Sequence, residues 1–177
     1  RKESSAASDV YKRQEPTGNN KPDHEHEGFS LLMPVYHGDT PEGLRRAIVS
    51  NVHEQTLPPT EVVLVIDGPV GPDLEETVRA SVRGIEQKGI AVSVKRLGRN
   101  GGLANALNVG LKLCSCRVVA RADADDESLP QRFETVVPSV RDGRFHAVGS
   151  AMFEMDELFT EIQSVREVQT RPEEIRR

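Results

Sequence analysis

The stretch Glu61-Val62-Val63-Leu64-Val65-Ile66-Asp67-Gly68 decides the fold. Val62 to Ile66 is the longest apolar run in the chain. It has the length of a strand and falls far short of the roughly 18 apolar residues of a membrane span. Asp67-Gly68 is a common turn pair and ends it. Working outward, the same punctuation recurs on both sides. Upstream, Phe29 to Tyr36 reads as a strand and Pro41 to about Glu54 as a helix, with Leu44, Ala47, Ile48 and Val52 on one stripe. Thr40 suits the N-cap and Pro41 the first helical position. Downstream, helices are predicted over Asp73 to about Lys88, Gly102 to about Cys114 and Leu129 to about Arg141. Between and after them come strands over Ile90 to Lys95, Arg117 to Ala122 and Phe145 to Gly149. Strands alternating with helices require right-handed crossovers. The expected fold is therefore α/β, a Rossmann-like three-layer α/β/α sandwich around a mainly parallel sheet.

Composition narrows the class further. A chain of 177 residues has room for one domain with a real core. Apolar residues make up 36% and charged residues 29%, and a net charge of −5 gives no footprint for nucleic acid. No transmembrane segment is predicted. The two cysteines, Cys114 and Cys116, lack the partners of a zinc site and read as small buried thiols suited to a reducing compartment. Residues 1–28 are polar, without apolar periodicity, and are expected to form a disordered arm. The arm has neither an initiator Met nor a secretory signal, which suggests a fragment with a non-native start. Its His24-Glu25-His26-Glu27 tract reads as solvated rather than metal-binding. After Ser150 the pattern weakens into a charged tail with helical character, reaching Arg177.

In a doubly wound sheet, ligands bind outside the carboxyl ends of the strands. Those ends carry Pro34-Val35-Tyr36, Asp67-Gly68, the Asn100-Gly101-Gly102 turn, and Arg121-Ala122-Asp123-Ala124-Asp125-Asp126. Three carboxylates within four positions repel one another unless a cation or a set of donors compensates them. Hard divalent cations take oxygen ligands and often share them with substrate phosphates, so a metal-nucleotide site is one reading. A wet acidic turn before a helix is the other. The Gly101-Gly102 pair opens a helix whose N-terminus favours anions, although a loop ahead of a closely packed helix has the same composition. Arg121 and Asp123 share a strand face, so Arg121 can either touch a diphosphate or pair with Asp123.

These segments occur in order with Gln55-Thr56-Leu57-Pro58-Pro59, the block from Asn100 to Gly110, and Leu129-Pro130-Gln131-Arg132-Phe133-Glu134. The combination resembles the nucleotide-sugar-binding half of glycosyltransferase family 2, with the GT-A nucleotide-diphospho-sugar transferase fold, and within it the amylovoran-type exopolysaccharide branch. The resemblance covers residues 29–157, leaving 158–177 as the start of an acceptor half. It implies an inverting transferase of hexosyltransferase type that moves a sugar from a nucleotide-sugar to a hydroxyl during polysaccharide biosynthesis. Pro34, Val35 and Tyr36 would line the base pocket, Asp67 would contact the base, and Asn100, Gly101 and Gly102 would lie near the nucleotide. Asp123 and Asp125 would form the Asp-x-Asp motif, with Asp126 beside it, holding the ribose and a Mg²⁺ or Mn²⁺ on the diphosphate; Arg121 joins the nucleotide set. A UDP-sugar is expected ahead of a GDP-sugar as donor, a glycan or lipid-linked sugar as acceptor, and the cytoplasm, at the inner membrane face, as location.

Two departures stand out. Ile66 precedes Asp67 where the family often has a second acid. The acceptor pocket and its catalytic base, a carboxylate, are expected beyond Arg177, because Glu154, Asp156 and Glu157 come too early. The expectation is a truncated, donor-binding fragment. One alternative is a non-catalytic nucleotide-sugar-binding module. Another is a sugar nucleotidyltransferase, but Tyr36-His37-Gly38-Asp39-Thr40 lacks the Gly-rich basic loop such enzymes place after the first strand.

Overall fold

The computed structural model describes residues 28–156 and 161–166. The polar arm through Glu27, with its His-Glu tract, lies outside the described residues, as do Glu157 and most of the tail. Strands β1 (Phe29–Tyr36), β2 (Glu61–Asp67), β3 (Ala91–Arg96) and β4 (Val118–Arg121) alternate with helices α1 (Pro41–Ile48), α2 (Pro72–Gln87), α3 (Leu103–Leu111) and α4 (Arg132–Arg141). The sheet order is β3-β2-β1-β4, and every pairing within it is parallel.

Side-chain alternation along the strands builds two cores. Leu31, Met33 and Val35 of β1 and Val62, Leu64 and Ile66 of β2 face one side. There they meet Leu44 and Ile48 of α1, Leu74 and Val78 of α2, and Phe133 and Val137 of α4. Leu32, Val63 and Val65 face the other side and meet Ala106 of α3 and Cys114. The connection from β3 to β4 runs back across β2 and β1, which sends α3 to the opposite face from α1 and α2. This is the expected α/β/α layering. Close packing of α3 depends on Gly110, where an added Cβ would lie 2.2 Å from Leu32 Cδ1 and 3.0 Å from Val65 Cγ2.

Thr40 caps α1, its hydroxyl accepting from the Gly43 N–H at 3.0 Å, with Pro41 in the first turn. The predicted single helix to Glu54 is corrected, because α1 ends at Ile48 and continues as a π-helical turn over Val49–His53.

At the amino-terminal end of β2, Glu61 accepts hydrogen bonds from the Ser30 hydroxyl and the Ser115 and Cys116 N–H groups. Burial raises its proton affinity, but these donors together outweigh that and hold the carboxyl below its usual range. Both cysteines are free and buried, in line with the thiol reading. Burial first, then the Glu61 charge, pushes the Cys114 thiol up to about 11.

Two expectations fail beyond α4. No strand forms over 145–149. Gly143 turns the chain with φ +74°, and the Phe145 N–H bonds back to the Ser139 carbonyl at 3.2 Å. That contact folds the segment back against the helix end, and it adds no strand to the four-stranded sheet. The tail is also not helical where it is described. Strands β5 (Met152–Met155) and β6 (Ile162–Arg166) form an antiparallel pair with a bulge at Glu154/Met155. Its apolar cross-strand pair, Phe153 with Val165, suits a strand surface better than a helix.

Candidate active site at the carboxyl ends of the strands

Helices α1 and α3 lie on opposite faces of the sheet, and β1 sits between β2 and β4. The topological switch point is therefore the gap between the carboxyl ends of β1 and β4, where a crevice opens in folds of this kind. β1 ends in Pro34, Val35 and Tyr36. Val35 is fully buried in the α1-side core, whereas Pro34 is half-buried and Tyr36 is 46% exposed. Of the three, Tyr36 offers a side chain to the rim. Its N–H donates to Asp39 Oδ2 at 2.8 Å, which tightens the turn into α1.

Asp67 ends β2 and is only 3% exposed. Its Oδ1 accepts from the Gly101 N–H at 2.8 Å and its Oδ2 from the Gly102 N–H at 2.9 Å. Asp67, expected to contact a base, is bonded here to the Asn100-Gly101-Gly102 turn and braces it. Gly68 fits beneath it with φ +89°, and a Cβ there would meet the Asn100 nitrogen at 2.5 Å. Asn100 Oδ1 also accepts from the Gly102 N–H at 3.0 Å, so the turn reaches α3 in a fixed conformation. A hollow of about 420 Å³ lies beside it, lined by Leu97, Gly98, Arg99, Gly101, Asn105 and Val109. A second groove, of about 340 Å³ between the π-turn and α2, includes none of these rim residues.

The acid loop follows β4. The Ala122 N–H bonds the Leu32 carbonyl at 3.1 Å, and Ala122 and Ala124 are buried. Asp123 is half-buried and Asp125 and Asp126 are exposed. Of the two readings left open for Arg121, the pairing is the one present. Its Nε donates to Asp123 Oδ1 at 2.9 Å and its Nη2 to Asp123 Oδ2 at 2.6 Å. Although Asp126 is exposed on its outer side, the protein packed around its carboxyl and then the charges of Asp125 and Asp123 raise its pKa, against Arg132 and Arg121. Asp39 is raised as well, by burial and the same two neighbours, against the opposing Tyr36 N–H. The sequence reading missed Asp39. It lies two residues before Pro41, and only the adjacency of β1 and β4 brings it into the field of the acids.

Among the described residues, no three His, Cys, Asp or Glu side chains stand ready to hold a metal by themselves. The charges of Asp123 and Asp125 nevertheless reach both Asp39 and Asp126, which places four carboxylates in one neighbourhood with Arg121 and Arg132 as the opposing cations. Magnesium in nucleotide sites takes one or two carboxylates, with phosphate and water completing the sphere. The donor set here fits a cation that arrives with a diphosphate.

The family model for Glycosyl transferase family 2 matches residues 30–176. This chain belongs to glycosyltransferase family 2. Within that family it is 39% identical over 131 residues to the amylovoran biosynthesis glycosyltransferase AmsE of Erwinia amylovora, covering 73% of this chain and 47% of that protein. It is 36% identical over 148 residues to an uncharacterised glycosyltransferase of Haemophilus influenzae, covering 83% and 53%. It is 33% identical over 129 residues to the UDP-Gal:alpha-D-GlcNAc-diphosphoundecaprenol beta-1,3-galactosyltransferase of Escherichia coli, covering 72% and 45%. The chain spans about half the length of these relatives. The exopolysaccharide-type likeness expected from the motifs therefore holds. Among solved structures, the mannosyltransferase PcManGT of Pyrobaculum calidifontis, in complex with GDP-Man and Mn²⁺, superposes with a TM-score of 0.56 at 20% identity, over 78% of this chain and 38% of that one. S. aureus TarS 1–349 superposes at 0.50 and 23% identity, over 66% and 33%. The family 2 chain thus has the GT-A sheet that the resemblance implied.

Proposed function

We propose that this chain is the donor-binding part of an inverting glycosyltransferase that moves a sugar from a nucleoside-diphosphate sugar to an acceptor hydroxyl in polysaccharide assembly. The observation that carries this reading is the gathering of Asp123, Asp125, Asp126 and Asp39 at the β1–β4 switch point, on one rim with the turn braced by Asp67. Tyr36 and Pro34 flank the base, and the first turn of α3, whose N–H groups have no partner within the helix, faces the nucleotide, while the Gly101 and Gly102 N–H groups stay on Asp67. Asp123, Asp125 and Asp126 would hold a Mg²⁺ or Mn²⁺. When bound, that ion supplies Lewis-acid neutralisation of the departing diphosphate. Arg121 is paired with Asp123 in this structure, and with a cation on that carboxylate its guanidinium would be free to neutralise the diphosphate. The general base for the acceptor is assigned to none of these carboxylates.

A UDP-sugar is the favoured donor, and the name of the Escherichia coli relative supports both that choice and a lipid-linked sugar acceptor. No helix among the described residues is long and apolar enough to cross a membrane. Work at the cytoplasmic face of the membrane is the setting in which such an acceptor is met. Titration calorimetry with UDP- and GDP-sugars, with and without Mn²⁺, tests the proposal. Manganese-dependent binding of one donor is expected, with Asp125→Ala weakening it about tenfold or more. Absence of heat for any nucleotide would sink the proposal.

A further inference from the structure

The acid loop owes its position to a segment far upstream, the π-turn over Val49–His53. Asn51 in that turn is 0% exposed and its amide is fully engaged. Its Nδ2 donates to the Ala47 carbonyl at 2.9 Å and to the Asp126 carbonyl at 3.3 Å. Its Oδ1 accepts from Ser128 Oγ at 2.7 Å and from Arg132 Nη1 at 3.2 Å. Arg132 completes a ring. Its Nη1 donates to Ser128 Oγ at 2.8 Å and its Nη2 to the Arg121 carbonyl at 2.9 Å. One buried amide thus connects the start of the acid loop, through Arg132 and Arg121, to its far end at Asp126 and Ser128.

The neighbouring residues reinforce the same loop. Ser50 Oγ accepts from the Ser128 N–H at 3.2 Å, and Gln55 Nε2 donates to the Leu129 carbonyl at 3.0 Å. Anchoring α4 does not require these bonds, because Phe133 and Val137 already bury that helix against the sheet. They fall instead on residues 121–132, the backbone that carries the carboxylates. Single π-turns recur at functional sites, where the extra residue redirects side chains. Loss of a group that orients metal ligands without touching the ion typically costs about ten- to a hundredfold in metal affinity.

We infer that Asn51 is a positioning residue for the cation-diphosphate site, acting through the Asp126 carbonyl, Ser128 and Arg132 to fix where Asp125 and Asp126 stand. The inference rests on the donor-binding function proposed above. Its test measures calorimetric binding of UDP with Mn²⁺, and backbone amide exchange, in the full chain and in Asn51→Ala, Ser128→Ala and Ser128→Thr. Asn51→Ala and Ser128→Ala are expected to weaken Mn²⁺–UDP binding about tenfold or more. Amide exchange should accelerate over residues 123–129 in both. Ser128→Thr keeps the hydroxyl and should restore both properties. If Asn51→Ala does not fold, the Ser128 pair decides. Unaltered Mn²⁺–UDP affinity in Ser128→Ala would overturn the inference while leaving the donor site intact. So would exchange that rises equally across β1 and β2, because it marks general loosening. If the unsubstituted chain binds no Mn²⁺–UDP, the donor-binding proposal falls first and this one with it.

Discussion

Asp67 commits both carboxylate oxygens to backbone N–H groups of its own chain, and that fixes what its replacement should do. Asp67→Asn sets an amide NH₂ against an N–H donor, so one buried bond becomes a clash of donors. The expected loss is about 1–3 kcal/mol in denaturant unfolding, with a larger relative loss of nucleotide affinity because the turn is released. The position of Asp67 at a strand end was legible in the sequence, since an acid followed by Gly after five apolar residues ends a strand almost unambiguously. Its partners were not, because they come from a loop more than thirty residues away and only the pairing of β2 with β3 brings them near. Arg121 and Asp123 are the reverse case. Their spacing on one strand face made a contact readable, and it is present.

Among the elements, α3 has the narrowest tolerance. Gly110→Ala would drive a methyl group into Leu32 and Val65. About 1–3 kcal/mol of destabilisation is expected from overpacking, read as a lower chemical-denaturation midpoint with little change in slope. Helix and strand identity through α4 followed from periodicity. The π-turn did not, because Leu44, Ala47, Ile48 and Val52 fit a continuous α-helical stripe equally well, and one inserted residue does not disturb that pattern. Phe145 to Gly149 misled for a related reason. A short apolar run says nothing about whether the chain before it, here turned back at Gly143, can deliver it to a sheet edge.

At the scale of the whole molecule, stability should depend on pH through Glu61. Burial raises its pKa, the Ser30, Ser115 and Cys116 donors together lower it by more, and the folded value lies below the unfolded one. A depressed carboxylate stabilises the fold above the unfolded value, about 4.3, and that contribution fades as pH falls through the folded value. Unfolding midpoints followed from neutral to acid pH should therefore drop, and Glu61→Gln should be less stable at neutral pH with a shallower acid slope. A coincident pH profile for the two proteins would refute this assignment. The layering and the parallel character of the sheet were legible because alternation and crossover handedness leave few topologies, whereas the order β3-β2-β1-β4 comes from the structure. The four-carboxylate rim was only partly so, as Asp39 joins it through strand adjacency alone.

Glu61 and Asp67 stand at the two ends of the same strand, and each grips a loop that flanks α3, Ser115-Cys116 after it and Gly101-Gly102 before it. The helix is mounted like a bar in two brackets, both bolted to β2. A bar held in this way cannot slide along its face, and if the Asp67 bracket alone is loosened it can only swing about the other. The mounting sets a direction of failure, in which the Gly101-Gly102 end drifts first while the end seated on Ser30 and the cysteines keeps the fold closed.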